Sequence, residues 1–291
     1  MTSPRIAGAP ISWGVCEVPG WGHQLAPEVV LPQMRAAGLT ATEFGPDGFL
    51  PDPPAAKAKV LAEHGLAAVG GFVPAVLHEA AVDPLPDVDR AIDGFRAAGA
   101  ELLVLAAATG RSGYDGRPEL DAGQWSVLLG NLDRLAAHAA GRGMTAVLHP
   151  HVGTLVETRA DVDRILSGSG VPLCLDTGHL LVGGTDPRTL SREAAGRVAH
   201  THLKDVDGAL AERVLAGALP YSTAVARGLF RPLGRGDADI AGILGDLAAA
   251  RYTGWYVLEQ DVMLPAAPED EGPLADVRAS VDFLREHLGR R

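Results

Sequence analysis

Residues 135–150 read LAAHAAGRGMTAVLHP. An Ala/Leu-rich segment runs into a glycine, and a short apolar run follows that ends on histidine. The first half predicts a helix and the glycine its left-handed cap, where a Cβ would be strained. The second half predicts a strand whose two faces are both covered, because the apolar run is continuous rather than alternating. The same unit recurs on either side. Upstream stand LPQMRAAG before LTATEFG (31–45), VLAEHG before LAAVGGFV (60–73) and AIDGFRAAG before AELLVLA (91–106). Downstream, LGDLAAARYTG before WYVLEQD (244–261) closes the series.

Strands are expected to start near Ala7, Thr40, Ala67, Glu101, Thr145, Pro172, Val198 and Trp255, at a period of about 30 to 40 residues. Alternating strands and helices at that spacing imply a parallel sheet. Eight of them in 291 residues fit an α/β fold of the (β/α)8 TIM barrel type, read as one domain over residues 1–291. An open doubly wound sheet is the competing architecture. It calls for a glycine-rich turn after the first strand, and ISWGVCEVPG (11–20) is a poor match. Two stretches break the rhythm. ATGRSGYDGRPEL (108–120) is a polar loop after the fourth strand. Residues 207–236 form a helical insertion after the seventh, with ALAERVLAGAL, STAVARGLF and PLGRG in it. The insertion is either surface decoration or a lid. The end of the chain, EGPLADVRASVDFLREHLGRR, predicts a closing helix with Leu274, Val277, Val281 and Leu284 on its apolar stripe.

Composition narrows the function. Hydrophobic residues are 47% and charged residues 21%, with mean hydropathy +0.11, which supports a sizeable core rather than disorder. No apolar run approaches the roughly 20 residues that span a bilayer, and MTSPRIAGAPISWG lacks the pattern of a signal peptide. A cytoplasmic chain with no membrane partner is expected. A net charge of −11 argues against nucleic acid as a partner. Two cysteines, Cys16 and Cys174, make neither a disulfide scaffold nor a thiolate zinc site.

Catalytic side chains of a barrel stand at strand C-termini. There this sequence places Glu43, His149 and His151, Asp176 with His179 just beyond, His200, His202 and Lys204, and Glu259. His200, His202 and Lys204 recur at period two and therefore share one face of the seventh strand. A divalent metal explains the set, since Asp, His and Glu are ligands for such ions. The expected ligands are His149, Asp176, His202 and Glu259, with His202 preferred over His200 because it lies nearer the mouth. His151 competes with His149, because residues two apart share a face. The DTG of 176–178 also marks aspartic proteases, but those need a second such lobe in an all-β setting. Cys174, one layer deeper than Asp176, reads as core rather than nucleophile. PLGRG reads as a turn rather than a phosphate grip.

APISWG, TEFGPDGFLP, HPHVGT, LCLDTGHL, HTHLKDV and VLEQD together resemble the xylose-isomerase-like barrel superfamily of sugar isomerases, epimerases and dehydratases. GPDGFLP, HPHVGT and DTGHL followed by HLKDV carry a narrower resemblance to the myo-inosose (2-keto-myo-inositol) dehydratases. The resemblance implies one divalent metal, Mn or Co before Zn, Fe or Mg, on His149, Asp176, His202 and Glu259. Epimerases of the superfamily generally carry Glu where this chain has His149, so a second carboxylate base is missing. That departure favours a hydro-lyase acting on a cyclic polyhydroxy ketone through an enediolate, over a keto-sugar isomerase or epimerase. Glu43, Glu157, His179 and Lys204 are the acid and base candidates, His179 and Lys204 foremost through their motifs. Trp13, His151 and Arg235 are expected to line the pocket of a small polyol-ketone or sugar. A homo-oligomer is compatible with this reading. A non-catalytic sugar-binding barrel and an endonuclease are the remaining alternatives, the latter disfavoured by the charge.

Overall fold

The computed structural model describes residues 4–289. Residues 1–3 of the N-terminal stretch and the last two residues of the expected closing helix lie outside the described residues.

Among the described residues, the parallel strands are Arg5–Gly8, Ala41–Thr42, Ala67–Ala68 continued by Gly70–Ala75, Leu102–Ala107, Thr145–Leu148, Leu173–Asp176, Val198–Leu203 and Trp255–Leu258. They are called the first to eighth strands below. Each begins within two residues of its predicted start. The first pairs with the second and eighth, and pairing continues from the eighth through seventh, sixth, fifth and fourth to Gly70–Ala75. The second strand pairs with Ala67–Ala68. Val69 joins the two pieces: its N–H donates to Thr42 O and its carbonyl accepts from Leu102 N–H. The third strand thus touches both ends of the sheet, and the ring closes. At the closure the strands approach tightly, since a Cβ on Gly70 would meet Leu102 O at 2.2 Å.

Helices surround the ring. Those at Pro27–Ala36, Pro54–Glu63, Leu85–Ala97 and Ala122–Gly141 are followed by Gly38, Gly65, Gly99 and Gly143, all at positive φ as the repeat predicts. The unit at 244–261 differs. The residue in the left-handed conformation is Arg251 (φ 59°), not Gly254. The barrel interior is narrow and filled by small residues: Ala7, Ala41, Val69, Val104, Val147, Cys174 and Val257 pack together. Cys174 is therefore core, and burial pushes its thiol up to about 11. A larger apolar layer lies between ring and helices, into which the last helix, Leu274–Gly289, buries Leu274, Val277, Val281 and Leu284. No described helix is long and apolar enough to cross a membrane.

The insertion has its own small frame. Asp205–Val206 pairs antiparallel with Phe230–Arg231, and helices Gly208–Leu215 and Tyr221–Ala226 lie between them. Asp205 is fully buried, and its carboxylate accepts from the backbone N–H groups of Val206, Gly234, Gly236 and Ala238. PLGRG thus grips a carboxylate of the chain itself and is a turn.

Candidate functional site

The strand ends deliver their polar residues to one place because register aligns them. Asp176 pairs with His202 across the sixth and seventh strands. Val257 pairs with His202 across the seventh and eighth, which puts Glu259 just above. Ligand atoms of Asp176, His202 and Glu259 lie within 4.8 Å of one another. His202 Nδ1 is 3.0 Å from Glu259 Oε2 and 3.7 Å from Asp176 Oδ2, yet makes no hydrogen bond. His149 Nε2 lies 3.1 Å from Asp176 Oδ2, which joins the fifth-strand histidine to the set. All four are buried.

The far edge of the His202 ring is held by Glu43. Its Oε1 is 3.0 Å from His202 Nε2 and 2.7 Å from His200 Nε2. Burial works to raise the Glu43 pKa, but the His202 charge and the two histidine hydrogen bonds outweigh it and hold it at about 2. Glu43 is thus placed to orient His202, on the ring edge away from Asp176 and Glu259, rather than to face a reacting substrate. His200 belongs to the same support.

Lys204 stands beside the set. Its ammonium contacts Glu259, donates to Asp261 Oδ1 at 2.8 Å and lies 3.6 Å from Asp176 Oδ2. Burial alone would lower its pKa, but Asp261, Glu259 and Asp176 push it well up. The DTGH turn fits against this lysine. Thr177 Oγ1 donates to Lys204 O at 2.7 Å, and a Cβ on Gly178 would strike Lys204 Cβ at 2.6 Å. Asp176 Oδ1 accepts from the N–H groups of Gly178 and His179, which leaves Oδ2 for the set.

Four buried carboxylates, Glu43, Asp176, Glu259 and Asp261, share this mouth with one lysine. Buried charge needs compensation, and His202, which Cys174, Glu259 and Glu43 hold well above the usual histidine pKa against its burial, supplies part of it, whereas the other imidazoles of the mouth help little. Burial holds His149, His151 and His179 below the usual histidine pKa, His151 at about 3. Neutral imidazole is the metal-binding form. The unbonded Nδ1 of His202, the four buried carboxylates against one lysine and the neutral imidazole of His149 together fit a divalent cation, which would take the place of the proton on His202.

A second cluster adjoins the first. His151, His179 and Asp261 bring ligand atoms within 4.8 Å of one another. His151 Nδ1 is 2.7 Å from Val152 O, and its ring lies 3.7 Å from that of His179. His151 therefore sits beside the first set, and the fifth-strand position in it is taken by His149. Neither nitrogen of His179 has a hydrogen-bond partner. Asp261 Oδ2 is 3.6 Å from His179 Nε2 and accepts from Tyr221 OH at 2.8 Å. Tyr114 from the polar loop packs on His151 at 4.4 Å, and its hydroxyl contacts Glu17. Trp21 lies 6.4 Å from Tyr221.

Three expected residues fall elsewhere. Trp13 ends the short turn Pro10–Trp13, which rotates its indole into the core, where Nε1 donates to Gln33 Oε1 at 2.7 Å. Trp21 is the tryptophan beside the mouth. Arg235 is exposed on the PLGRG turn. Glu157 accepts from Gly153 N–H at 2.9 Å and faces Arg117, bracing the HPHVGT loop. Asp261, Tyr221 and Tyr114 were not among the expected residues. Asp261 follows Glu259 by two, so the period-two rule applied to EQD reaches it. Nothing periodic marks Tyr221 or Tyr114 in their irregular segments.

Residues 31–287 match the family described as xylose isomerase-like TIM barrel. The chain is 35% identical over 275 residues to the rhizopine catabolism protein MocC of Rhizobium meliloti, covering 90% of this chain and 82% of that protein. It is 33% identical over 302 residues to the inosose dehydratase of Geobacillus kaustophilus, covering 98% and 96%. An L-ribulose 3-epimerase structure superimposes over 99% of this chain and 95% of its own, with TM-score 0.71 and 18% identity, which reflects the shared fold.

Proposed function

The chain belongs to the xylose isomerase-like TIM barrel family, and from that premise we propose that it is a metal-dependent hydro-lyase acting on a cyclic polyhydroxy ketone of the 2-keto-myo-inositol class. The observation that carries this reading is the strand-end set itself: Asp176, His202 and Glu259 converge, and the fifth strand adds His149 rather than a carboxylate. The similarity to an inosose dehydratase over nearly the full chain supports the substrate class.

His149, Asp176, His202 and Glu259 would hold the ion. When bound, a divalent ion would supply Lewis acidity toward the ketone oxygen and a neighbouring hydroxyl. The chain's own groups divide the remaining work. His179 is buried and neutral with both nitrogens unengaged, so it can take a proton from the carbon next to the ketone. Lys204 holds its protons among three carboxylates and can donate to the departing hydroxyl. Asp261 and Glu259 aim that ammonium. Glu43 keeps the His202 ring in place. Tyr114 and Tyr221 cover the site, so that the reacting groups work away from bulk water.

The test is turnover of 2-keto-myo-inositol by protein loaded with Mn or Co, followed by absorbance of the diketone product and by exchange of ring protons in D2O. Dehydration with metal and none after chelation supports the reading. Proton exchange without loss of water would identify an epimerase instead.

A further inference from the structure

The polar groups of the mouth form a connected chain that ends in the insertion. Glu259 contacts Lys204, Lys204 donates to Asp261 Oδ1, and Asp261 Oδ2 accepts from Tyr221 OH at 2.8 Å. Tyr221 is the first residue of the helix Tyr221–Ala226 and is 2% exposed. Asp261 is outside the Asp176, His202 and Glu259 grouping; Lys204 and Tyr221 each engage one of its oxygens, and a carboxylate oxygen has a second lone pair for a further donor. A second observation points to what that partner is. His179 Nε2 lies 3.6 Å from Asp261 Oδ2, and both nitrogens of this buried ring lack hydrogen bonds. A buried polar atom without a partner is unfavourable, and a ligand hydroxyl, which both donates and accepts, satisfies carboxylate and imidazole at once. The surroundings are aromatic: Phe230, Trp21 and Tyr114 lie 6.3, 6.4 and 6.5 Å from the Tyr221 ring. Such faces suit the C–H surface of a ring polyol.

We propose that Tyr221 and Asp261 form a subsite selecting one ring hydroxyl of the substrate, distinct from the oxygens facing Asp176, His202 and Glu259, which makes Tyr221 a specificity-determining residue carried by the insertion. The proposal rests on the polyhydroxy-ketone reading. The incoming hydroxyl inserts between Tyr221 and Asp261 and turns toward His179. Tyr221 reaches this place because the insertion is tied to the polar loop. Ser222 N and Oγ both donate to the Asp115 carboxylate, at 2.8 and 2.6 Å.

The experiment uses the full chain loaded with Mn. Dissociation constants are measured by calorimetry for myo-inositol and each of its monodeoxy analogues, which cannot be dehydrated as ketones can. Values of kcat/KM are measured in parallel for 2-keto-myo-inositol. Wild type is expected to disfavour one monodeoxy analogue by roughly tenfold or more, as a site built to bond a hydroxyl does. Tyr221→Phe keeps the ring and should collapse that one preference toward unity while leaving the others, and Asp261→Asn should weaken the same analogue series. Ser222→Ala, which loosens the tie to Asp115, should weaken all ligands alike and leave the preference intact. Equal weakening of every analogue by Tyr221→Phe would overturn the proposal and make the tyrosine a cover only. A second divalent ion per chain that is lost in Asp261→Asn would also overturn it, because the carboxylate would then be a ligand. Absence of binding by every polyol would overturn it as well. Selective binding with no turnover of the ketone would sink the dehydratase reading and leave the subsite standing.

Discussion

His200 and His202 show how much two residues of strand matter. Both point inward, yet His202 Nδ1 faces Asp176 and Glu259 while His200 Nε2 is bonded to Glu43. His202→Ala should therefore abolish bound metal and leave the circular dichroism of the fold intact, since mouth residues add little to barrel stability. His200→Ala should retain one ion, bound about ten- to a hundredfold more weakly, because it removes support for Glu43 rather than a ligand. Metal analysis after dialysis separates the two, and loss of the ion in His200→Ala alone would reverse the assignment. His149 decides the reaction type. His149→Glu should keep the ion, since carboxylate oxygen also ligates, but it adds a charge beside Asp176. Dehydration should fall by roughly ten- to a hundredfold. A rise in ring-proton exchange in D2O would instead mean that the change restores a second base and that the protein is an epimerase.

Elements follow the repeat where local chemistry is decisive. Four helices end in glycines at positive φ, as their sequences require, but the helix Ile240–Ala249 hands its left-handed position to Arg251. A left-handed conformation disfavours a side chain by about 1–2 kcal/mol, partly offset by the greater chain entropy of glycine when unfolded. Arg251→Gly should therefore stabilise by about 0.5–1 kcal/mol, read as a rise in denaturant midpoint with unchanged slope. No rise would show that the arginine side chain makes up the difference. The insertion is the element whose role was least legible. Its two helices were expected from composition, but Tyr221 OH on Asp261 and Ser222 on Asp115 place it over the mouth. These contacts depend on residues far apart in sequence.

At the scale of the molecule, the barrel concentrates buried carboxylates at one end and leaves their compensation incomplete. Binding of a divalent ion to the folded chain alone should raise stability by about 2.7 kcal/mol when free ion is 100 times Kd. Protein stripped with EDTA should accordingly melt several degrees lower than protein in Mn or Co, with no such difference in His202→Ala. Identical melting curves with and without metal would mean that Lys204 and the histidines already balance the charge.

The sequence by itself determined the barrel, the strand starts and the ligand-type residues at the strand ends. Helix caps, continuous apolar runs and period-two polar residues are local signals, and eight repeats leave few ways to pack them. Tertiary structure alone decided which nitrogen faces which carboxylate. It turned Trp13 into the core and put Trp21 at the mouth, through one short turn at Pro10–Trp13. It also separated His149 from His151, gathered Asp261 and Tyr221 around His179, and packed Tyr114 on His151. Those positions rest on contacts between segments about 20 to more than 100 residues apart, whose geometry comes from the closure of the ring and the tie between two irregular loops, and such contacts leave no period in the chain.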